Sequence, residues 1–238
     1  MVRASFVRPA VRLVTAATAF STAAYAACVA AAWHGYGNPP AAAPADRDTL
    51  LDQFMPRYDV VERHRITIAA PPAVVLGAAK EQDLMQSTFI RAIFKARELA
   101  LGASRDGGLH PAGLLATVQS LGWRVLAERP GREIVVGAVT RPWEADVVFR
   151  GLSPNEFAPY SEPGDVKIAW TLRAEPDGRH RSVFTTETRA VATDAAARAR
   201  FRTYWAFASP GIAAIRWLTL RPLQREAERR ARELDGER

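Results

Sequence analysis

A two-residue alternation of apolar and polar positions is the clearest pattern in the chain. Between Tyr58 and Ile68, every second residue from Val60 onward belongs to one face, and the residues between them belong to the other. Successive side chains of a β-strand point to opposite faces, so this period predicts a strand. The same period predicts five more strands further along the chain, over residues 123–128, 132–140, 145–150, 166–175 and 182–193.

Helical spacing predicts most of the remaining elements. Pro71 and Pro72 open a short helix, and an apolar stripe with charged residues opposite predicts a longer helix over residues 82–101. A further helix is predicted over residues 111–121. Asp194 can cap a terminal helix that Ser209-Pro210-Gly211 is expected to interrupt. This order of elements predicts an α+β domain with helices packed on an antiparallel sheet.

The first 46 residues follow neither pattern. Residues 13–33 carry no charged side chain, and they follow three arginines in the first dozen positions. As a helix this run would be roughly 30 Å long, about the thickness of a bilayer core. Its Ala- and Thr-rich composition leaves three readings open. It can be a membrane anchor, a signal peptide cleaved near Ala24-Tyr25-Ala26, or a buried helix of a soluble protein.

The charge around this run predicts where the rest of the chain lies. Arginines precede the run, and neither Lys nor Arg follows it until Arg47. Under the positive-inside rule the domain is therefore extracytoplasmic, either membrane-anchored or secreted after signal cleavage. We accordingly divide the chain into an anchor or signal peptide over residues 1–34, a Gly/Pro/Ala-rich linker over residues 35–46 and a domain over residues 47–238.

Composition excludes some classes of function. The chain has 238 residues, 48% of them hydrophobic, and a formal net charge of +7, which suggests an anionic partner. Basic residues do not cluster with aromatic ones except weakly at the C-terminus, so we expect no nucleic-acid binding. The single cysteine, Cys28, excludes an intrachain disulfide and a thiolate metal cage. Motifs for nucleotide, cofactor or metal sites are absent, so we expect no metal and no cofactor.

Two stretches carry a resemblance to a known superfamily. These are VVERHRITIAAPPAVVLGAA, residues 60–79, and GDVKIAWTLRAEPDGRHRSVFTTETRAVATD, residues 164–194. They resemble the first strand and the last hairpin of the START/polyketide-cyclase-like helix-grip superfamily (SRPBCC), and the resemblance extends over roughly residues 58–232. It implies a curved antiparallel sheet wrapped around a long C-terminal helix, with an apolar cavity between them. Members of this superfamily bind lipids, sterols, polyketides or hormones, and a minority catalyse cyclisation or dehydration.

Candidate site residues follow from strand faces and from the aromatic content. His64 and Glu62 share a strand face, so they can act together in acid–base chemistry or can simply be exposed near the end of the strand. Aromatic residues at strand and helix spacing can line a ligand cavity or can belong to the core. They are Trp143, Trp170, Phe184, Tyr204, Trp205 and Trp217.

Charged residues supply candidates for binding a polar head group. Glu187 and Arg189 share a face of one predicted strand, and they can either orient a head group or form an exposed ion pair. Arg141 and Glu144 lie at a strand break, which can be a place where bulges and site residues gather or can be only a covered edge of the sheet.

Three functions remain open on this sequence. The first is the binding of a lipid-like or other hydrophobic small molecule in an internal cavity, with the membrane contacted through residues 13–33. The second is a non-catalytic interaction domain with a filled cavity. The third is a cyclase- or dehydratase-type enzyme that uses Glu62 and His64, or Arg141 and Glu144, as acid–base groups.

Overall fold

A computed structural model describes residues 22–83, 87, 91, 95, 102 and 113–236. Its centre is one five-stranded antiparallel sheet with the strand order β1-β5-β4-β3-β2. Strands β2 to β5 form a meander, and β1 pairs with β5 although the two are far apart in sequence. The strands are β1 (Val60–Ile68), β2 (Arg124–Arg129), β3 (Glu133–Thr140), β4 (Val166–Pro176) and β5 (Ser182–Ala192).

The long hairpin of β4 and β5 follows directly from the sequence. Both strands alternate over eleven residues, and Asp177-Gly178 lies in the turn between them. Gly178 has a φ of 84°, a left-handed conformation that glycine adopts without strain. The Asp177 amide donates to the Arg181 carbonyl and closes the turn. The predicted bounds of this hairpin agree with the structure to within one residue.

The described part of the chain also contains five α-helices with defined bounds and two short 3-10 helices. The α-helices are α1 (residues 22–35), α2 (Pro72–Glu81), α3 (Gly113–Ser120), α4 (Pro154–Phe157) and α5 (Ala195–Gly236). The 3-10 helices are Pro44–Asp46 and Leu51–Gln53. The predicted helix over residues 82–101 lies almost wholly outside the described residues.

The predicted break in the terminal helix is wrong, because α5 continues through both Pro210 and Pro222. A proline removes one backbone hydrogen bond from a helix, but tertiary packing can hold the helix together on either side of it. Phe201 and Trp205 are buried before Pro210, and Leu220 is buried after it. The Tyr25 hydroxyl also donates to the carbonyl of Phe207 at 2.9 Å, in the turn that the proline disturbs.

The predicted strand over residues 145–150 is also wrong. Only one isolated bridge forms there, between Val139 and Arg150. The reason is that β3 already pairs with β2 on one edge and β4 on the other. A further strand could pair with β3 only beyond the end of β2, where Val139 lies. The sheet therefore has five strands in the described chain, one fewer than predicted.

Each face of the sheet carries its own apolar cluster. Helices α2 and α5 cover one face, which we call the helix face. The segment around Leu51 and Met55 packs with Phe157 of α4 on the opposite face, which we call the outer face. An α+β chain with an antiparallel sheet and a long C-terminal helix across it fits the helix-grip arrangement that the resemblance implies.

The N-terminal helix α1 lies against α5. Arg202 donates to the carbonyl of Trp33 at 3.0 Å and stacks over its ring at 4.3 Å. Tyr36, in the predicted linker, is buried against Phe201. Among the described residues, no helix has the length and apolarity needed to cross a bilayer. Residues 13–21 of the predicted span lie outside the described part of the chain.

Candidate functional site

Strand register brings four polar side chains together on the helix face. In the pairing of β1 with β5, Glu62 lies opposite Thr188, and His64 lies opposite Thr186. Ile66 and Ile68 lie on the same face of β1 and pack into the core beneath α5. Because alternate residues of a strand share a face, these four polar residues also point towards the helix.

His64 and Glu62 form a short hydrogen bond within this group. His64 Nε2 and Glu62 Oε1 are 2.6 Å apart, and the two side chains are 10% and 23% exposed. Both side chains are therefore mostly, but not fully, withdrawn from water. The His64 ring also meets the exposed Trp217 ring edge-on, with 6.1 Å between the ring centroids.

Arg216 reaches this group from the opposite side, out of α5. It donates from Nη1 to Thr186 Oγ1 at 2.8 Å and from Nη2 to Thr188 Oγ1 at 2.6 Å. Burial lowers the pKa of the Arg216 guanidinium to about 10, and the negative charge of Glu62 opposes this shift. At neutral pH the guanidinium is still a cation. We call Glu62, His64, Thr186, Thr188 and Arg216 the central polar cluster.

The central polar cluster separates two apolar clusters along α5. One contains Trp170, Phe184 and Leu220, and the other contains Phe201 and Trp205. In the described chain, no residue of α5 from Phe207 to Thr219 is fully buried. The helix is therefore packed tightly at both ends of its contact with the sheet and only partly in the middle, where the polar cluster lies.

The aromatic candidates divide between these two apolar clusters. Trp170 and Phe184 are buried in the cluster near the C-terminal half of α5. Trp205 is buried in the cluster near its N-terminal half, and Tyr204 and Trp143 pack against it partly exposed. All five side chains thus flank the central polar cluster rather than forming one wall.

Glu187 and Arg189 lie on the outer face, away from α5. Neither forms the exposed ion pair that the sequence left open, because both are about 1% exposed. Arg189 Nε donates to Glu187 Oε1 at 2.7 Å, and Arg63 Nε donates to Glu187 Oε2 at 2.6 Å. Arg189 also pairs with Asp52 at 2.5 Å. We call these four residues the outer ion network.

Arg141 and Glu144 lie in the loop after β3, and both are 48% exposed. Arg141 Nε pairs with Asp165 Oδ1 at 2.8 Å, and its contact with Glu144 is longer, at 3.7 Å. The hydrogen bond to Asp165 raises the pKa of Arg141 above its usual value. The structure does not bring this pair next to Glu62 and His64.

A concave region lies on the surface between α1 and α5, away from the central polar cluster. This surface groove has a volume of about 440 Å³ and is open to solvent. Its lining is almost entirely apolar, and it consists of Tyr25, Ala26, Val29, Ala30, Trp33, His34 and Phe207. The side chains of this lining that can exchange a proton are His34 and Tyr25.

The candidate residues predicted from the sequence do not include Arg216, Thr186 or Thr188. A signal for Arg216 was present, because it lies four residues from both Ile212 and Leu220 on the apolar stripe of the terminal helix. A charged residue in such a stripe faces the core. Thr186 and Thr188 likewise interrupt the apolar row between Phe184 and Ala190 on β5.

The chemistry available at the central polar cluster is acid–base and electrostatic. A histidine that shares a hydrogen bond with a carboxylate can move a proton, and a partly buried guanidinium stabilises negative charge. Among the described residues, no group of three or more His, Cys, Asp or Glu side chains is arranged to hold a metal ion.

Comparisons with known proteins give little beyond this geometry. No protein-family model matches the chain, and no curated protein matches it. Among solved structures, CalU16 from Micromonospora echinospora is similar at 15% identity and a TM-score of 0.24 over 73% of this chain and 87% of that one. The ZhuI aromatase/cyclase from a Streptomyces species is similar at 15% identity and a TM-score of 0.21, over 71% of this chain and 94% of that one. At these scores neither match assigns a ligand or an activity to this chain.

Proposed function

We propose that this domain binds a hydrophobic small molecule between α5 and the helix face of the sheet, with a polar end of that molecule at the central polar cluster. A single observation carries the proposal. Glu62, His64 and Arg216 meet between two apolar clusters, at the point where α5 is only partly packed on the sheet.

Polar groups inside a core destabilise a fold unless they are hydrogen-bonded, ion-paired or in contact with a ligand. Transfer of a hydroxyl or amide out of water without a compensating partner costs roughly 1–3 kcal/mol in proteins, and an unpaired charge costs more. Apolar residues at these positions would join the two apolar clusters into one continuous core. Ligand sites have the combination found here, with mostly apolar walls and a few convergent polar groups.

Acid–base catalysis on the bound molecule is a second candidate function, which the 2.6 Å contact of His64 with Glu62 favours. Such a dyad can remove a proton next to a carbonyl, as cyclisation and dehydration require. Incubation of an extracted ligand with the protein tests this candidate. A product that forms with the wild type but not with Glu62→Gln supports catalysis, whereas an unchanged ligand supports binding alone.

We propose the location of the domain from the N-terminal sequence. An uncharged run after three arginines favours a domain outside the cytoplasm, either anchored or secreted. Carriage or sensing of an apolar molecule next to a membrane would suit that location.

Native mass spectrometry of the purified chain, followed by solvent extraction, tests the binding proposal. The expected result is a co-purifying apolar molecule, or a bound species after soaking with a mixed lipid extract, that is released on denaturation. A mass that corresponds to the protein alone under both conditions would contradict the proposal. It would favour an interaction domain that uses its surface groove.

A further inference from the structure

We propose that the ligand is an amphiphile with a carboxylate group and that Arg216 binds this carboxylate. The inference rests on the proposed function, since it names the chemical class that the same site would take. It is carried by the unusual set of partners that Arg216 has in the interior of the domain.

The hydrogen-bond partners that the structure gives Arg216 are neutral. Both are threonine hydroxyls of β5, and no ion pair among the described residues includes Arg216. Glu62 is near enough for its charge to act on Arg216, but it lies outside ion-pair distance, and its Oε1 is hydrogen-bonded to His64. Among the described residues, the cation therefore has no counter-ion in direct contact.

Other arginines packed in or against the sheet differ in this respect. Arg63 and Arg189 both contact Glu187, and Arg230, farther along α5, contacts Glu226 and Glu81. A guanidinium withdrawn from water is normally paired with a carboxylate, because an uncompensated buried charge is strongly destabilising. Of these four arginines, Arg216 is the one without a carboxylate partner among the described residues. An anionic ligand would supply that partner.

The geometry also favours a carboxylate as the anion. A guanidinium is planar and has more N–H donors than two hydroxyls can use, so Arg216 can accept a further ligand while the threonines fix its orientation. A carboxylate matches this fork with two parallel hydrogen bonds. Trp170 and Phe184 on one side and Trp205 on the other would then enclose the apolar body of the ligand.

A matched pair of probes tests the inference on the full chain. Dodecanoate and dodecanol have the same apolar chain and differ in the carboxylate, and binding of each is measured by isothermal titration calorimetry below micelle-forming concentrations. We expect the wild type to bind dodecanoate about tenfold or more tightly than dodecanol. Arg216→Met should abolish this preference, so that the two probes bind to the variant with affinities within about twofold of each other.

Two further variants separate the role of Arg216 from general effects of charge and folding. Arg216→Lys keeps the charge but lacks the fork, so it should retain a reduced preference for dodecanoate. Arg225→Met removes an exposed arginine from the same helix and should behave as the wild type does. If Arg216→Met fails to fold, the wild type and Arg216→Lys still give the comparison.

The outcomes distinguish the inference from the proposed function. Equal affinity of the wild type for the two probes, or an unchanged preference in Arg216→Met, would overturn the role of Arg216 and leave hydrophobic binding intact. Failure of the wild type to bind either probe would overturn both the inference and the proposed function for such chains.

Discussion

The two faces of the sheet treat charge in opposite ways. On the outer face, Glu187 lies between Arg63 and Arg189, and Asp52 supplies a second carboxylate, so each charge in this network has an opposite charge in contact. On the helix face, Arg216 contacts only hydroxyls among its described partners. The first arrangement pairs every charge within the protein, whereas the second leaves Arg216 without a carboxylate partner among the described residues.

This difference teaches that burial alone does not mark a site. Glu187 and Arg189 of the outer ion network are more deeply buried than Glu62 and His64, and they are among the largest fully buried side chains of the protein. Its internal pairing suits a role in stability. Removal of one partner of a buried ion pair leaves the other charge uncompensated and destabilises the fold. The central polar cluster has partly exposed groups and, among the described residues, a cation without a carboxylate partner, which suits a role in binding.

Disruption of the outer ion network should have the largest effect on stability. Glu187→Ala would leave Arg63 and Arg189 buried without their shared carboxylate, and we expect a loss of about 3–5 kcal/mol in the free energy of unfolding. Urea denaturation measures this loss. A loss below about 1 kcal/mol would show that the network contributes no more than a surface ion pair.

A second effect on the outer face should depend on pH. Burial, together with the hydrogen bond and charge of Asp48, raises the pKa of Glu133 from its usual value to about 8. The folded protein then holds a proton that the unfolded chain releases at lower pH, so the free energy of unfolding should fall as the pH rises from about 4.5 to about 8.

Glu133→Gln tests this dependence, because its side chain does not titrate. We expect the variant to lose less stability than the wild type between pH 5 and pH 8. Denaturant titrations at several pH values across this window give the comparison. Parallel curves for the two proteins would mean that Glu133 titrates normally in the folded state.

Removal of the unpaired cation should affect stability much less than removal of Glu187. Arg216→Met replaces a desolvated cation by an apolar chain of similar length, and we expect a change within about 1 kcal/mol in either direction in the absence of ligand. The same urea titration measures it. A loss near that of Glu187→Ala would instead make Arg216 a structural residue and remove the contrast between the two faces.

We expect the smallest loss of stability at Glu226, an exposed carboxylate that also contacts two arginines. Glu226 contacts two arginines, Arg229 and Arg230, just as Glu187 does, but it lies on the surface of α5 with 37% of its side chain exposed. The hydrogen bonds from these arginines lower the pKa of Glu226 to about 2.

Glu226→Ala should therefore cost less than about 1 kcal/mol at pH 7, since exposed pairs are screened by water and salt. Compared with Glu187→Ala, it separates the effect of burial from the number of partners. Equal losses in the two variants would mean that burial is not what distinguishes them.

Much of the fold was predictable because local patterns decided it. The alternation in β1, β4 and β5 and the Asp-Gly turn placed these strands near their observed positions. The two wrong predictions depended on distant contacts. Residues 145–150 could pair with β3 only where β2 and β4 leave its edge free. Whether α5 continues through Pro210 depends on the residues that the helix buries on either side of the proline.

The candidate site was predictable only in part, for a similar reason. Alternation shows that His64 and Glu62 share a face and that Glu187 and Thr188 lie on opposite faces. It cannot show which face the long helix covers. That choice assigns Glu187 and Arg189 to the outer ion network and brings Arg216 to the threonines, and it follows from the tertiary structure alone.

Photo-crosslinking of the full chain with a diazirine-bearing dodecanol analogue would test the central claim most directly. The claim predicts saturable labelling of peptides from β1 and from residues 205–220 of α5, with dodecanol competing for the label. Labelling confined to the surface groove around Tyr25 and Val29, with none in β1, would contradict binding between α5 and the sheet.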